Sequence, residues 1–138
     1  MDLTALFNIS YGLYVAGVEF EGKKNACIIN TAAQTTVEPV RMTVTIIKDN
    51  LTAELIKKKG SLTISCIGID CPMDVIRHYG FVSGREKDKF EGVNYKEDVN
   101  GNPYLEEHMV AYMSLNVTSV IDLDTHYHFL CDVVEAEN

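Results

Sequence analysis

The chain has 138 residues, 12 basic and 20 acidic, and a formal net charge of −8. That length suits one domain able to bury a core without staples, and the acidic balance excludes a nucleic-acid platform or a membrane-surface binder. No apolar run approaches the roughly 18 residues that cross a bilayer, no basic leader opens the chain, and Cys27, Cys66, Cys71 and Cys131 lack zinc-type spacing, so the expectation is a single cytoplasmic domain over residues 1–138 with reduced, buried thiols and no metal.

The elements read in chain order as mostly strands. Residues 11–20 form the first and end at the turn Glu21-Gly22-Lys23-Lys24, and residues 25–34 are expected to return as a second. Over 40–47, Val40, Met42, Val44 and Ile46 alternate with Arg41, Thr43 and Thr45, the period of a half-buried strand. Asn50 is a good N-cap for a helix carrying Leu51, Leu55 and Ile56 on one face and stopping at Gly60. Leu62, Ile64 and Cys66 mark the next strand. A second helix is predicted from Asp70-Cys71-Pro72, with Asp74 in its first turn and Gly80 as its stop. The polar stretch from 80 to 103 is too long for a simple hairpin, and such loops are usually functional. Ala111, Met113, Leu115 and Val117 then alternate along a strand, and a last strand covers 125–134. Six or so strands with two short helices make an antiparallel barrel the natural way to hide strand edges, although the pattern alone leaves sandwich and barrel open.

Three stretches carry candidate chemistry. From Asn25 to Thr36 small and hydroxyl residues leave room for a flat group, with Asn30, Thr31 and Gln34 offering donors and acceptors; a plain Thr-rich turn is the other reading. Lys48, Asn50 and Thr52 sit at a helix N-terminus, where free N–H groups favour an anion, although Asn50 also serves as an ordinary cap. In the third stretch Ser83, Gly84, Arg85 and Lys89 combine a hydroxyl, a tight turn and a guanidinium fork suited to phosphate; a salt-bridged surface loop would look the same. Lys57-Lys58-Lys59 reads as a solvated face. His126 and His128 stand in an H-x-H pattern, but no third ligand accompanies them.

In this order, Asn30-Thr31…Gln34…Glu38-Pro39, Lys48 with Thr52, Ser83-Gly84-Arg85…Asp88-Lys89-Phe90 and a late His126 resemble the flavin reductase-like, FMN-binding split-barrel family, as does the opening Tyr11-Gly12-Leu13-Tyr14-Val15. The resemblance runs from about Leu6 to Ala136. It implies a mainly β Greek-key split β-barrel with two or three short helices, usually a homodimer, binding FMN as cofactor. By position, Asn30, Thr31, Ala32 and Gln34 would lie along the flavin ring and ribityl chain. Lys48, Asn50, Thr52, Ser83, Gly84, Arg85 and Lys89 would surround its phosphate end. His126 corresponds to the histidine of the family's Gly-Asp-His signature, beside the flavin and the nicotinamide site. The implied activity passes a hydride from NADH or NADPH to the flavin, and electrons on to free flavin, iron or a redox protein. Here the signature reads Asp124-Thr125-His126, and Cys131 replaces a common glycine, so an electron-transfer flavoprotein reduced by a partner is the alternative.

Overall fold

The computed structural model describes residues 1–138. A 3-10 helix, Leu3–Asn8, leads into strands β1 (Tyr14–Phe20), β2 (Lys23–Ile29), β3 (Ala32–Thr36) and β4 (Arg41–Ile47). Helix α1 (Leu51–Lys59), strand β5 (Ser61–Ile67) and helix α2 (Met73–Gly80) follow. The short strands β6 (Lys96–Glu97) and β7 (Pro103–Tyr104) precede the long pair β8 (Met109–Asp122) and β9 (His126–Glu137). All but β6 and β7 form one antiparallel sheet in the order β2-β1-β5-β8-β9-β4-β3.

That order departs from the chain order in the Greek-key manner, and the sheet wraps on itself. Cys27 and Ile29 of β2 and Met42 and Val44 of β4 enter the same buried cluster although they lie near opposite ends of the sheet. The barrel is split where β2 and β3 meet without pairing. The expectation of a single strand over 25–34 is therefore corrected: the chain bends at Asn30 and Thr31 and passes from one edge of the sheet to the other. The residues explain the break. Ala26 and Cys27 are buried, whereas Ala33, Gln34 and Thr35 of β3 are exposed, so the two halves need different neighbours.

Phe129, Ile56, Leu62, Ile64 and Leu115 are the largest fully buried apolar side chains, each contributing about 1.5–3 kcal/mol by burial. Helix α1 plugs this core with Ala53, Leu55 and Ile56. Its caps match the sequence: Asn50 Oδ1 accepts the Thr52 N–H at 2.9 Å, and Gly60 takes the left-handed conformation at φ 82°. Gly80 does not play the same part for α2. It stays helical, Phe81 is the C-cap, and a Cβ at position 80 would lie 3.0 Å from Ile28 Cγ1. That glycine answers to packing.

Strand β5 is buried on both faces, which its alternating sequence does not suggest. Ser61, Thr63 and Ser65 are covered by residues 102–105: Asn102 Nδ2 donates to Ser61 Oγ at 2.8 Å, Thr63 Oγ1 donates to the Pro103 carbonyl, and Leu105 N–H donates to Ser65 Oγ at 3.2 Å. Every buried hydroxyl of that face thus has a partner. The segment between α2 and β8 folds over a second cluster of Val15, Ala26, Tyr79, Phe90 and Leu105. No helix is long and apolar enough to cross a membrane.

Candidate functional site

A cleft of about 360 Å³ opens between the end of β4 with the start of α1 and the segment leaving α2; it is lined by residues 47, 49–51, 79–84 and 89. Its size falls in the range of small-molecule sites. Asn50, Ser83, Gly84 and Lys89, all expected around a phosphate, meet here. The N–H groups of Leu51 and Gly84 take no partner within the chain. The first turn of α1 adds its positive dipole end. Ser83 Oγ accepts the Arg85 N–H at 3.1 Å and keeps its own proton available.

Beneath the cleft lies a buried polar post. Asn25, 1% exposed on β2, donates from Nδ2 to Thr52 Oγ1 at 2.9 Å, while its Oδ1 has no partner. Gly84 rests directly on that amide, so that a Cβ there would lie 2.1 Å from Asn25 Oδ1. Thr52 itself is fully buried. It is expected at the phosphate, but its hydroxyl supports Asn25 and is not open to a ligand. Lys89 is also set into the protein, 3% exposed, with Nζ donating to the Ala26 carbonyl at 2.8 Å and the Tyr79 carbonyl at 2.7 Å. Burial pulls its pKa down. It ties β2, α2 and the following segment together at the cleft floor.

Two expected cations lie outside the lining. Arg85 directs its guanidinium to Glu54 of α1 at 2.7 Å, and that pair holds the Glu54 carboxyl below its ordinary range, with Lys58 helping. Lys48 pairs with Asp122 at 2.5 Å and hangs 5.1 Å from the Tyr127 ring centroid; the Asp122 carboxylate raises its pKa. Asn30, Thr31, Ala32 and Gln34 occupy the edge strand β3 and the bend before it, away from the cleft lining. There Thr31 Oγ1 donates to the Thr45 carbonyl, and Gln34 Nε2 to the Thr36 carbonyl at 3.1 Å.

His126 stands at the rim, since its Cα pairs in register with Ile47, which lines the cleft. Its Nδ1 lies 2.8 Å from Thr125 Oγ1, leaving Nε2 for a ligand. Asp124 occupies the position of the signature glycine and adopts the left-handed conformation, φ 66°, which Asp tolerates better than most residues. His128 is bonded separately, Nδ1 to Thr45 Oγ1 at 2.7 Å. No group of three or more His, Cys, Asp or Glu side chains is placed to hold a metal ion.

Asn25, Glu54 and Asp122 shape the site without standing out in the sequence. Only the i, i+4 spacing of Glu54 and Lys58 gives a signal. The Asn25–Gly84 and Lys48–Asp122 pairs join residues too distant in the chain for any spacing rule.

The model of the flavin reductase like domain matches residues 6–138. A high molecular weight rubredoxin of Moorella thermoacetica is 38% identical over 136 residues, 99% of this chain but 59% of that protein, so the chain spans little more than half of that relative. A ferric-chelate reductase (NAD(P)H) of Archaeoglobus fulgidus is 37% identical, over 99% of this chain and 81% of its own length. An FMN-binding protein from Thermus thermophilus, solved with bound p-hydroxybenzaldehyde, superposes with a TM-score of 0.84 at 25% identity, covering 93% of this chain and 71% of that one. With the family model and these relatives in agreement, the chain belongs to the flavin reductase like domain family.

Proposed function

We propose that the chain binds FMN with its phosphate end in the cleft and acts as a flavin reductase-like oxidoreductase, passing a hydride from NADH or NADPH to the flavin and electrons on to free flavin, iron or a redox protein. The carrying observation is the set of unpartnered donors, Leu51 N–H and Gly84 N–H, gathered beside Ser83 with His126 at the rim. The donor set fits a phosphate-terminated flavin: Gly84 leaves backbone bare where a Cβ would strike Asn25, and the α1 dipole favours an anion. When bound, FMN supplies the isoalloxazine that accepts the hydride.

The protein's own groups bind and orient. Ser83 and the two N–H groups hold the phosphate. Arg85 swings from Glu54 to join them. Asn50 keeps the first turn of α1 capped, and Lys89 and Asn25 fix the floor from below. Asn30, Thr31, Ala32 and Gln34 lie along the ring and ribityl chain. His126 offers Nε2 to the polar edge of the flavin or nicotinamide, while Thr125 fixes the ring through Nδ1. The chain works as a homodimer. The 3-10 helix has no buried residue, and Phe7 is 85% exposed on it, an apolar surface that a second copy would cover.

A second reading is supported by the rubredoxin relative, which is longer than this chain, and by the altered turn at Asp124: an FMN-containing electron carrier reduced by another protein. Visible spectra of the FMN-loaded protein before and after anaerobic NADH or NADPH separate the two. Prompt bleaching of the flavin bands is expected. Bands that stay oxidised with both coenzymes would favour the carrier, and a protein that takes up no FMN would remove both.

A further inference from the structure

Helix α1 has a second charged surface beside the cleft. Lys48, Glu54, Lys57, Lys58 and Tyr127 line a depression of about 490 Å³. Tyr127 forms its centre, with Lys48 Nζ 5.1 Å and Lys57 Nζ 4.7 Å from the ring centroid, and Lys57 Nζ 3.4 Å from the phenol oxygen. Lys48 is balanced by Asp122, and Lys58 by Glu54, which also carries Arg85. Lys57 has no carboxylate partner within the chain. Asp124 lies near enough to Lys48 to favour its charged form, and Asp122 feels Lys57 as well as Lys48. Of the three lysines lining the depression, Lys57 alone therefore carries a charge that no carboxylate in contact balances, in a chain of net charge −8.

We propose that this depression is a phosphate-monoester subsite that takes the 2′-phosphate of NADPH and gives the protein a preference for NADPH over NADH. The proposal rests on the coenzyme use proposed above. Magnitude and shape favour a small dianion. An acidic protein would approach a chain that repels it overall, whereas a compact ligand inside the depression lies within the screening length of about 8 Å and senses mainly the lysines. A phosphate monoester carries nearly two charges near neutral pH, and lysines bind it as point charges. Position fits too. Ile47, Asp49, Asn50 and Leu51 line the cleft, while the intervening Lys48 and the following Glu54 belong to the depression. His126 is the register partner of Ile47, and Lys48 N–H donates to the Thr125 carbonyl at 3.0 Å. One strand end therefore links the nicotinamide edge to the basic depression.

The test uses nucleotides without nicotinamide, so that it does not depend on hydride transfer. Calorimetric titration of the FMN-loaded protein should show 2′,5′-ADP binding at least about tenfold tighter than 5′-AMP, since one charge-assisted contact accounts for a decade. Lys57→Ala with Lys58→Ala should erase that preference while leaving 5′-AMP affinity in place. Equal binding of the two nucleotides, or a preference that survives the double substitution, would overturn the proposal. Inorganic phosphate binding as tightly as 2′,5′-ADP would also overturn it, by showing a general anion site. If 2′,5′-ADP is selected but neither coenzyme reduces the flavin, the subsite stands and the reductase activity falls.

Discussion

Asn25 and Gly84 touch so closely that a Cβ on Gly84 would sit 2.1 Å from Asn25 Oδ1, although the residues belong to β2 and to the segment after α2. The same amide holds Thr52 of α1 through Nδ2. A single buried side chain therefore sets the height of the Ser83-Gly84 loop and the start of the helix opposite it.

Gly84→Ala forces the loop outward or Asn25 aside, a strain of about 1–3 kcal/mol. FMN affinity, followed by quenching of flavin fluorescence, should drop by roughly tenfold or more. Trimming the obstacle should restore much of it, so Asn25→Ala combined with Gly84→Ala is expected to bind FMN better than Gly84→Ala alone. If the single and double variants bind equally poorly, the contact does not position the loop.

In the proposed complex Glu54 would compete with the FMN phosphate for Arg85. Arg85→Ala removes a charged donor from the phosphate, but the wild-type guanidinium must first leave a carboxylate 2.7 Å away. The expected loss is about tenfold in FMN affinity, at the low end of what a charge-assisted bond provides. Glu54→Gln frees Arg85 and should tighten FMN binding. A Glu54→Gln protein that binds FMN more weakly than wild type would show that the ion pair organises the site instead of restraining it.

The residues at the cleft were legible in the sequence in proportion to how local their signals are. The caps of α1 and the alternation of β4 depend on neighbours a few residues away, and both appear where the pattern puts them. The break at Asn30 depends on sheet wrapping, so residues 25–34 read as one continuous strand. Ser83, Gly84 and Asn50 carry local donor chemistry and reach the cleft. The roles of Thr52, Lys89 and Lys48 are decided by partners far along the chain, Asn25, Ala26 and Asp122. Residue type marks those three as phosphate donors, while tertiary contacts bury Thr52 beneath the cleft, tie the Lys89 amine into its floor and pair Lys48 with Asp122 outside the lining.

Lys89 tests the floor directly. Lys89→Met keeps much of the buried stem but removes both bonds to the Ala26 and Tyr79 carbonyls. Leaving those acceptors without the amine should destabilise the fold by about 1–3 kcal/mol, read as a lower urea midpoint. FMN affinity should fall in parallel as the segment after α2 loosens. An unchanged midpoint would mean that water replaces the amine at no cost.

Two buried thiols contribute to a loss of stability at alkaline pH. Cys27 is buried against α1, and burial pushes its pKa up from the ordinary 9.0 to about 11, despite help to the thiolate from Thr52, Lys89 and Asn50. Burial likewise raises Cys131 to about 12. Both pKa values are higher in the folded chain than in the unfolded one, so below pH 9 neither thiol makes stability pH-dependent. As pH climbs past 9 the unfolded chain releases these protons while the folded chain keeps them, and stability falls until the folded pKa is reached. The melting temperature should therefore decline between about pH 9 and 11, and Cys27→Ala should decline less steeply over that interval, whatever its starting stability. Parallel melting curves for wild type and Cys27→Ala across this range would show that Cys27 ionises as freely in the fold as out of it.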